Sequence, residues 1–385
     1  MPTYKSSIQS KLQNVESSIF SVMSGLAFKH KAINLSQGFP NFESSLELKK
    51  MVNNAMLNGK NQYAPMAGIF SLRRTISEKT ENLYGIHYNP ENEITITAGA
   101  TQAIFTAIAA TINRADEVII FKPAYDSYEP TIELFGGKVV SYQLNPETFK
   151  VNWDEVRMLI TPKTKMILIN TPHNPSGKVF SKEDMIALEK LLVGTNIILL
   201  SDEVYEHIIF DGTQHQSAAL FPGLAERTFI TASFGKTFHN TGWKVGYCMA
   251  PKELMKEFQK VHQFNVFSVN HPMQVGLAKY IQNPQTYLKL GDFYQEKRDL
   301  FLSLMKDSRF SFAPSNGTYF QLMNYKNITD EADVDFAIRL IKEYGVASIP
   351  ISVFNENNLD TKVLRFCFAK TNDTLKQAAE ILCNI

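Results

Sequence analysis

The chain of 385 residues contains three cysteines, and Cys248, Cys367 and Cys383 form no CxxC pair. Three dispersed thiols exclude a disulfide framework and a thiolate zinc site. Cys248 and Cys367 sit in apolar, strand-like runs, where a cysteine behaves as a small hydrophobe. The eight histidines show no HExxH or HxxxH spacing, so no protein-bound metal is expected. Charge of one sign is also missing. The 39 basic and 38 acidic residues leave a net +1, without the basic run that a nucleic-acid binder carries. No stretch approaches the ~18 apolar residues of a membrane span, and the opening MPTYKSSIQSKLQNVESS has no apolar core of a secretory signal. Repeats and Pro/Gly-rich linkers are absent as well. No GxGxxG or P-loop lysine follows any strand-like run, which argues against a nucleotide-binding protein. The expectation is a cytoplasmic protein acting on small molecules, without nucleic-acid or membrane partners.

The length predicts more than one domain, at roughly 100–200 residues each. In the middle of the chain, β-branched runs at 93–97, 117–121, 165–170, 196–200 and 228–232 alternate with helical stretches. Residues 101–112 form one such helix. Residues 181–193 form another, opened by Ser181 with Asp184 three positions on as a capping pair. Continuous apolar strands between helices predict an α/β fold with a mostly parallel central sheet covered by helices on both faces. From about residue 276 the pattern changes to long helical stretches (276–305, 331–344, 373–383) around short strands near 318–323, 346–349 and 363–368. That is the pattern of a smaller α+β domain. The expected division is 1–45 as an N-terminal arm and crossing segment, 46–275 as a large domain, and 276–385 as a small one. Segment 33–42 has neither period and reads as a crossing loop.

Five places at strand ends hold residues able to do chemistry. Asp202 follows the run 196–200; it either caps a following helix or presents a carboxylate to a cationic ring nitrogen. Lys236, in Ser233-Phe234-Gly235-Lys236-Thr237, is a solvated lysine or, in a dry pocket, an amine able to form a Schiff base. Gly99-Ala100-Thr101 opens a helix, and its amides make either a simple bend or an anion site. Asn174 lies in the Pro-rich loop Thr171-Pro172-His173-Asn174-Pro175-Ser176-Gly177, a plain turn or a rigid mount for an amide. Asn174-Pro175 is a candidate cis bond. Arg365, inside the apolar strand Val363-Leu364-Arg365-Phe366-Cys367-Phe368, needs a partner, which is either a structural ion pair, solvent at an edge, or a ligand carboxylate.

Together these segments resemble the class I/II aminotransferases, pyridoxal-phosphate enzymes of fold type I, over about residues 20–370. The specific matches are Ser233–Phe238 followed by Thr241-Gly242-Trp243-Lys244-Val245-Gly246, and Asn174–Gly177 ahead of Asp202-Glu203-Val204-Tyr205. The resemblance implies roles. Lys236 joins the cofactor covalently and later shuttles the substrate proton. Asp202 pairs with the ring nitrogen, Tyr125 stacks on the ring, and Asn174 and Tyr205 bond the ring oxygen. Gly99, Ala100, Thr101, Ser233 and Lys244 hold the phosphate. Arg365, with Asn174 and the Gly38 backbone, takes the substrate carboxylate. Tyr63, in Asn61-Gln62-Tyr63-Ala64-Pro65, reaches the phosphate of a partner subunit, which implies a homodimer.

Within the family, Asn34-Leu35-Ser36-Gln37-Gly38-Phe39-Pro40 and residues 261–270 are similar to the kynurenine/glutamine transaminase and bacterial methionine aminotransferase branch. That similarity makes Phe39 and Phe267 the walls of a side-chain pocket, though with 27 phenylalanines in the chain both also read as core. No second arginine offers itself to a dicarboxylic donor. Methionine and aromatic amino acids are therefore the expected donors, a 2-oxo acid the acceptor, and the kinetics ping-pong. Cysteine-conjugate β-lyase activity and broad glutamine/kynurenine transamination are the alternatives on the same scaffold.

Overall fold

The computed structural model describes residues 2, 7–13, 15 and 17–385. After a first helix, Ile19–His30, the crossing segment begins with the two-residue strand β1 (Ile33–Asn34). A central seven-stranded sheet then takes β2 (Ile94–Thr97), β3 (Glu117–Lys122), β4 (Lys138–Gln143), β5 (Thr164–Asn170), β6 (Ile198–Asp202), β7 (Thr228–Ser233) and β8 (Gly246–Met249). Their order across the sheet is β2-β8-β7-β6-β5-β3-β4. β8 is antiparallel to both its neighbours, and every other pairing is parallel.

The strands are buried on both faces, and their parity shows it. Val118, Ile120, Met166, Leu168, Ile198 and Leu200 pack with Ile104 and Ile108 of the helix Ala100–Thr111. The intervening Ile119, Phe121, Ile167, Ile169 and Leu199 pack into the other core. Alternate residues feeding two helix layers leave no face for polar side chains, which is why these runs are apolar throughout. The expected capping pair is present: Ser181 and Asp184 form a capping box ahead of the helix Lys182–Leu192.

The C-terminal part holds β9 (Phe320–Asn324), β10 (Val346–Ala347), β11 (Ile349–Pro350) and β12 (Val363–Cys367). β11, β12 and β9 form an antiparallel sheet, while β10 pairs in parallel with β1. Three sequence expectations need correction here. The crossing segment is not loop throughout, because Ile33–Asn34 is strand; two residues are too short to show alternation. The helical stretch 276–305 is broken into His271–Tyr280, Gln285–Leu288 and Leu290–Leu304. The break lies at Pro284, which has no N–H to donate. The stretch 331–344 is α-helical only over Asp333–Arg339 and continues as a π-helical turn.

The edge of the central sheet positions the site. β2, β3, β5, β6 and β7 all end there. β8, running the other way, begins there. Gly246 fits this junction because a Cβ would stand 2.5 Å from the Ala232 carbonyl and 3.0 Å from the Ala100 nitrogen. Gly246→Ala is expected to destabilise the fold by about 1–3 kcal/mol through overpacking against backbone, measured by urea unfolding. Among the described residues, no helix is long and apolar enough to cross a membrane.

Candidate active site

A cavity of about 330 Å³ opens at this edge. Lys236, Asp202, Asn174, Tyr205, Tyr125, Gly99, Ala100, Thr101, Ser233, Lys244, Arg365, Gly38 and Phe39 all line it. Segments more than 300 residues apart in the chain thus meet in one place, as the strand-end rule for parallel sheets requires.

Lys236 stands on the short helix Phe234–Thr237, whose first turn is capped by the Ser233 hydroxyl. Its Nζ donates to the Gly38 carbonyl at 3.1 Å and lies 5.7 Å from the centre of the Tyr319 ring. Burial brings its pKa down to about 8; the nearby cations Arg365 and Lys244 act in the same direction, while Cys367 and Asp202 oppose it. The amine is therefore neutral far more readily than a surface lysine.

Asp202 is the last residue of β6, and the chain turns after it without starting a helix, so it caps none. Tyr128 donates to its Oδ2 at 2.5 Å. Burial pushes its pKa up to about 6 against the opposing hydrogen bond from Tyr128. Asn170, the last residue of β5, ties this end to the Asn174 loop. Its amide donates to the Asp202 carbonyl at 2.8 Å, and its Oδ1 accepts from the Asn174 N–H at 2.7 Å. His173 joins the same loop to the next strand end, with Nε2 3.0 Å from the Pro123 carbonyl and Nδ1 2.6 Å from Ser176. Asn174-Pro175 is cis.

Arg365, on β12, is 1% exposed and has no carboxylate partner among the described residues. Neither an edge position nor a structural ion pair describes it. Its guanidinium donates to Asn174 Oδ1 at 2.6 Å and to the Ser36 carbonyl at 3.0 Å. It stacks 3.8 Å from the Phe320 ring centre and 5.1 Å from Phe20. Its Nε is buried with no hydrogen-bond partner. A fixed cation that lines a cavity and has no carboxylate of its own suits a planar anion.

At the opposite end, Gly99 holds φ +78° just before the helix Ala100–Thr111. Lys244 has left-handed backbone (φ 53°) and lies beside it, with Cδ 3.5 Å from where a Gly99 Cβ would stand. Free amides at a helix start and a lysine make an anion cradle. The cavity thus offers an amine that gives up its proton more readily than a surface lysine, a buried carboxylate and an anion cradle. That donor set fits pyridoxal phosphate, which carries an aldehyde, a basic ring nitrogen and a phosphate.

Two of the named residues lie outside the cavity: Tyr63, expected at a partner's site, and Phe267, expected as a wall of the side-chain pocket. Tyr63 is 82% exposed and Phe267 46% exposed, and their rings meet edge-on at 5.4 Å on the surface. Neither lines the cavity of its own chain. Conversely, Phe20, Tyr128, Asn170 and Phe320 line the cavity and were not foreseen. Asn170 had a signal, a polar residue ending an apolar strand. Phe20 and Phe320 had none, being two of many phenylalanines. Among the described residues, no cluster of three or more metal-ligating side chains occurs.

The family model for class I and II aminotransferases matches residues 30–382. The methionine aminotransferase of Escherichia coli strain K12 is 47% identical over 375 residues, covering 97% of each chain. A kynurenine–oxoglutarate transaminase of Dictyostelium discoideum is 34% identical, covering 96% of this chain and 94% of its own. The crystal structure of Escherichia coli YbdL, described as having a methionine aminotransferase function, superposes with a TM-score of 0.96 at 46% identity, covering 98% of this chain and 99% of that one. With geometry and sequence in agreement, this chain belongs to the class I and II aminotransferases, pyridoxal-phosphate-dependent transaminases of fold type I.

Proposed function

We propose that the enzyme takes the amino group of methionine and of aromatic amino acids and passes it to a 2-oxo acid. The observation that carries this reading is Arg365, buried beside Asn174 and roofed by aromatic rings. It is the one arginine among the described residues lining the cavity, and so it provides for a single carboxylate. Phe20 and Phe39 at the same end supply apolar surface for a side chain. The likeness to the methionine aminotransferase supports the same donor class.

In this reading Lys236 is the covalent anchor and Asp202 faces the ring nitrogen. Tyr125 covers the ring, and Asn174 and Tyr205 face its oxygen. Gly99, Ala100, Thr101, Ser233 and Lys244 hold the phosphate. When bound, the cofactor supplies a cationic ring that accepts electrons from the substrate Cα. Arg365 and Asn174 fix the carboxylate, which sets the orientation of the Cα–H bond. Lys236 Nζ, once free, takes the proton from Cα and returns it; a pKa near 8 leaves it a working base close to neutral pH. Asp202, sheltered from water, would offer its carboxylate to the protonated ring nitrogen and so keep the ring cationic. Tyr63 and Phe267, exposed together, face a second copy of the chain. A two-fold dimer would carry Tyr63 to the partner's phosphate.

An absorbance titration tests the reading. The purified enzyme should show a band at roughly 360–430 nm that methionine bleaches and a 2-oxo acid restores. Methionine and phenylalanine should do so at lower concentration than aspartate. Equal response to aspartate would overturn the donor assignment.

A further inference from the structure

The loop Ser36–Phe39 is held by its carbonyls. Arg365 donates to that of Ser36 at 3.0 Å, and Lys236 and Tyr319 donate to that of Gly38 at 3.1 and 2.6 Å. The carbonyls on either side, of Gln37 and Phe39, both accept from one group, Lys370 Nζ, at 3.5 and 2.8 Å. Lys370 is 3% exposed, has no acidic partner within ion-pair distance among the described residues, and lies 5.0 Å from the centre of the Phe39 ring. A buried ammonium costs stability unless its donors are used, and here they are used on this loop alone.

The holders differ in what else they must do. Lys236 and Arg365 line the cavity and are both claimed by the chemistry proposed above. Lys370 does not line the cavity. Neither it nor Tyr319, which also stands outside the cavity lining, is called on by that chemistry. The next residue strengthens the hold, since the Thr371 N–H donates to Asn41 Oδ1 at 2.7 Å. The Phe39 ring is 43% exposed, so core packing does not fix it, and its orientation comes from its backbone.

We propose that Lys370 is a positioning residue that sets donor selectivity. It holds the Gln37–Phe39 backbone, and with it the Phe39 ring, against the substrate side chain while Lys236 and Arg365 are occupied. The inference rests on the substrate reading given above.

The test compares the cofactor-loaded wild type with Lys370→Met and Lys370→Arg. Lys370→Met should lower kcat/KM for methionine relative to alanine by about tenfold, the worth of one charge-assisted hydrogen bond, with the cofactor spectrum unchanged. Lys370→Arg, which still donates to both carbonyls, should restore most of the ratio. Amide hydrogen exchange gives a readout apart from activity: the amides of Gln37, Gly38, Phe39 and Asn41 should exchange about tenfold faster in Lys370→Met and near the wild-type rate in Lys370→Arg. An equal loss for methionine and alanine, or unchanged exchange with the wild-type preference intact, overturns the role of Lys370. A wild-type enzyme that does not prefer methionine to alanine overturns the substrate reading, and with it the selectivity. Faster exchange would then still show that Lys370 holds the loop.

Discussion

Lys236→Ala is expected to lose transamination by about 10⁴-fold or more while the protein stays folded, because on the proposed reading one side chain is both covalent anchor and proton carrier. Single-turnover assays with methionine measure the loss. Added ethylamine, entering the vacated space, should recover a small part of it. Turnover near the wild-type rate would overturn the assignment. The same residue carries a pH signature in the cofactor-free protein. Its pKa of about 8 lies below that of an ordinary lysine, near 10.4. Competitive acetylation should therefore label Lys236 with a midpoint near pH 8, and exposed lysines about two units higher. The stability consequence has a definite sign. Between those two pH values the unfolded chain binds a proton that the folded chain does not. This group therefore makes folding more favourable as pH rises through the window, and less favourable below it.

The second large effect is at Arg365. Arg365→Met should raise KM for methionine by about 10²-fold, the loss of one charge-assisted pair, while leaving the cofactor spectrum in place. Folding should tolerate it, since a methionine fills a similar volume and removes a buried charge that has no carboxylate partner. Arg365→Lys should behave nearly as badly as Arg365→Met, because an ammonium cannot present two parallel donors. A change in kcat with KM unaltered would contradict a carboxylate-binding role.

The parts of this molecule legible in the sequence share a cause. β3, β5, β6 and β7 are buried on both faces, so their apolar runs stand out, and the chemistry sits directly at their ends. Asp202, Lys236 and Asn174 could be located for that reason. β4 was not foreseen as a strand, and β8 was legible only as an apolar, strand-like run around Cys248. β4 lies at the sheet edge and mixes polar with apolar residues, and β8 is four residues long. The cavity walls were harder still. Phe20, Tyr128 and Phe320 come from elements whose sequence says core, and only the three-dimensional meeting of helix, strand end and small sheet turns one face of each toward the cavity. Arg365 was ambiguous in sequence because its partners, Ser36 and Asn174, lie 329 and 191 residues away. Tyr63, expected at a partner's site, and Phe267, expected as a pocket wall, both lie outside the cavity of their own chain, and for Phe267 the sequence offered only one phenylalanine among many.

The reversed strand β8 has a consequence for how the protein matures. It lies between β2 and β7, pairing Ile94 with Met249 and Ile230 with Met249 as well. The two halves of the anion cradle, Gly99–Thr101 after β2 and Lys244 before β8, are therefore brought together by a pairing between residues about 150 positions apart. Closing so long a loop is slow compared with forming the local βα units. On the proposal that Gly99–Thr101 and Lys244 together hold the phosphate, the grip is complete only once that pairing is made, and cofactor bound to the closed sheet would favour closure by mass action. On that proposal, cofactor supplied during synthesis is expected to raise the yield of folded enzyme, measured as soluble protein with and without added cofactor.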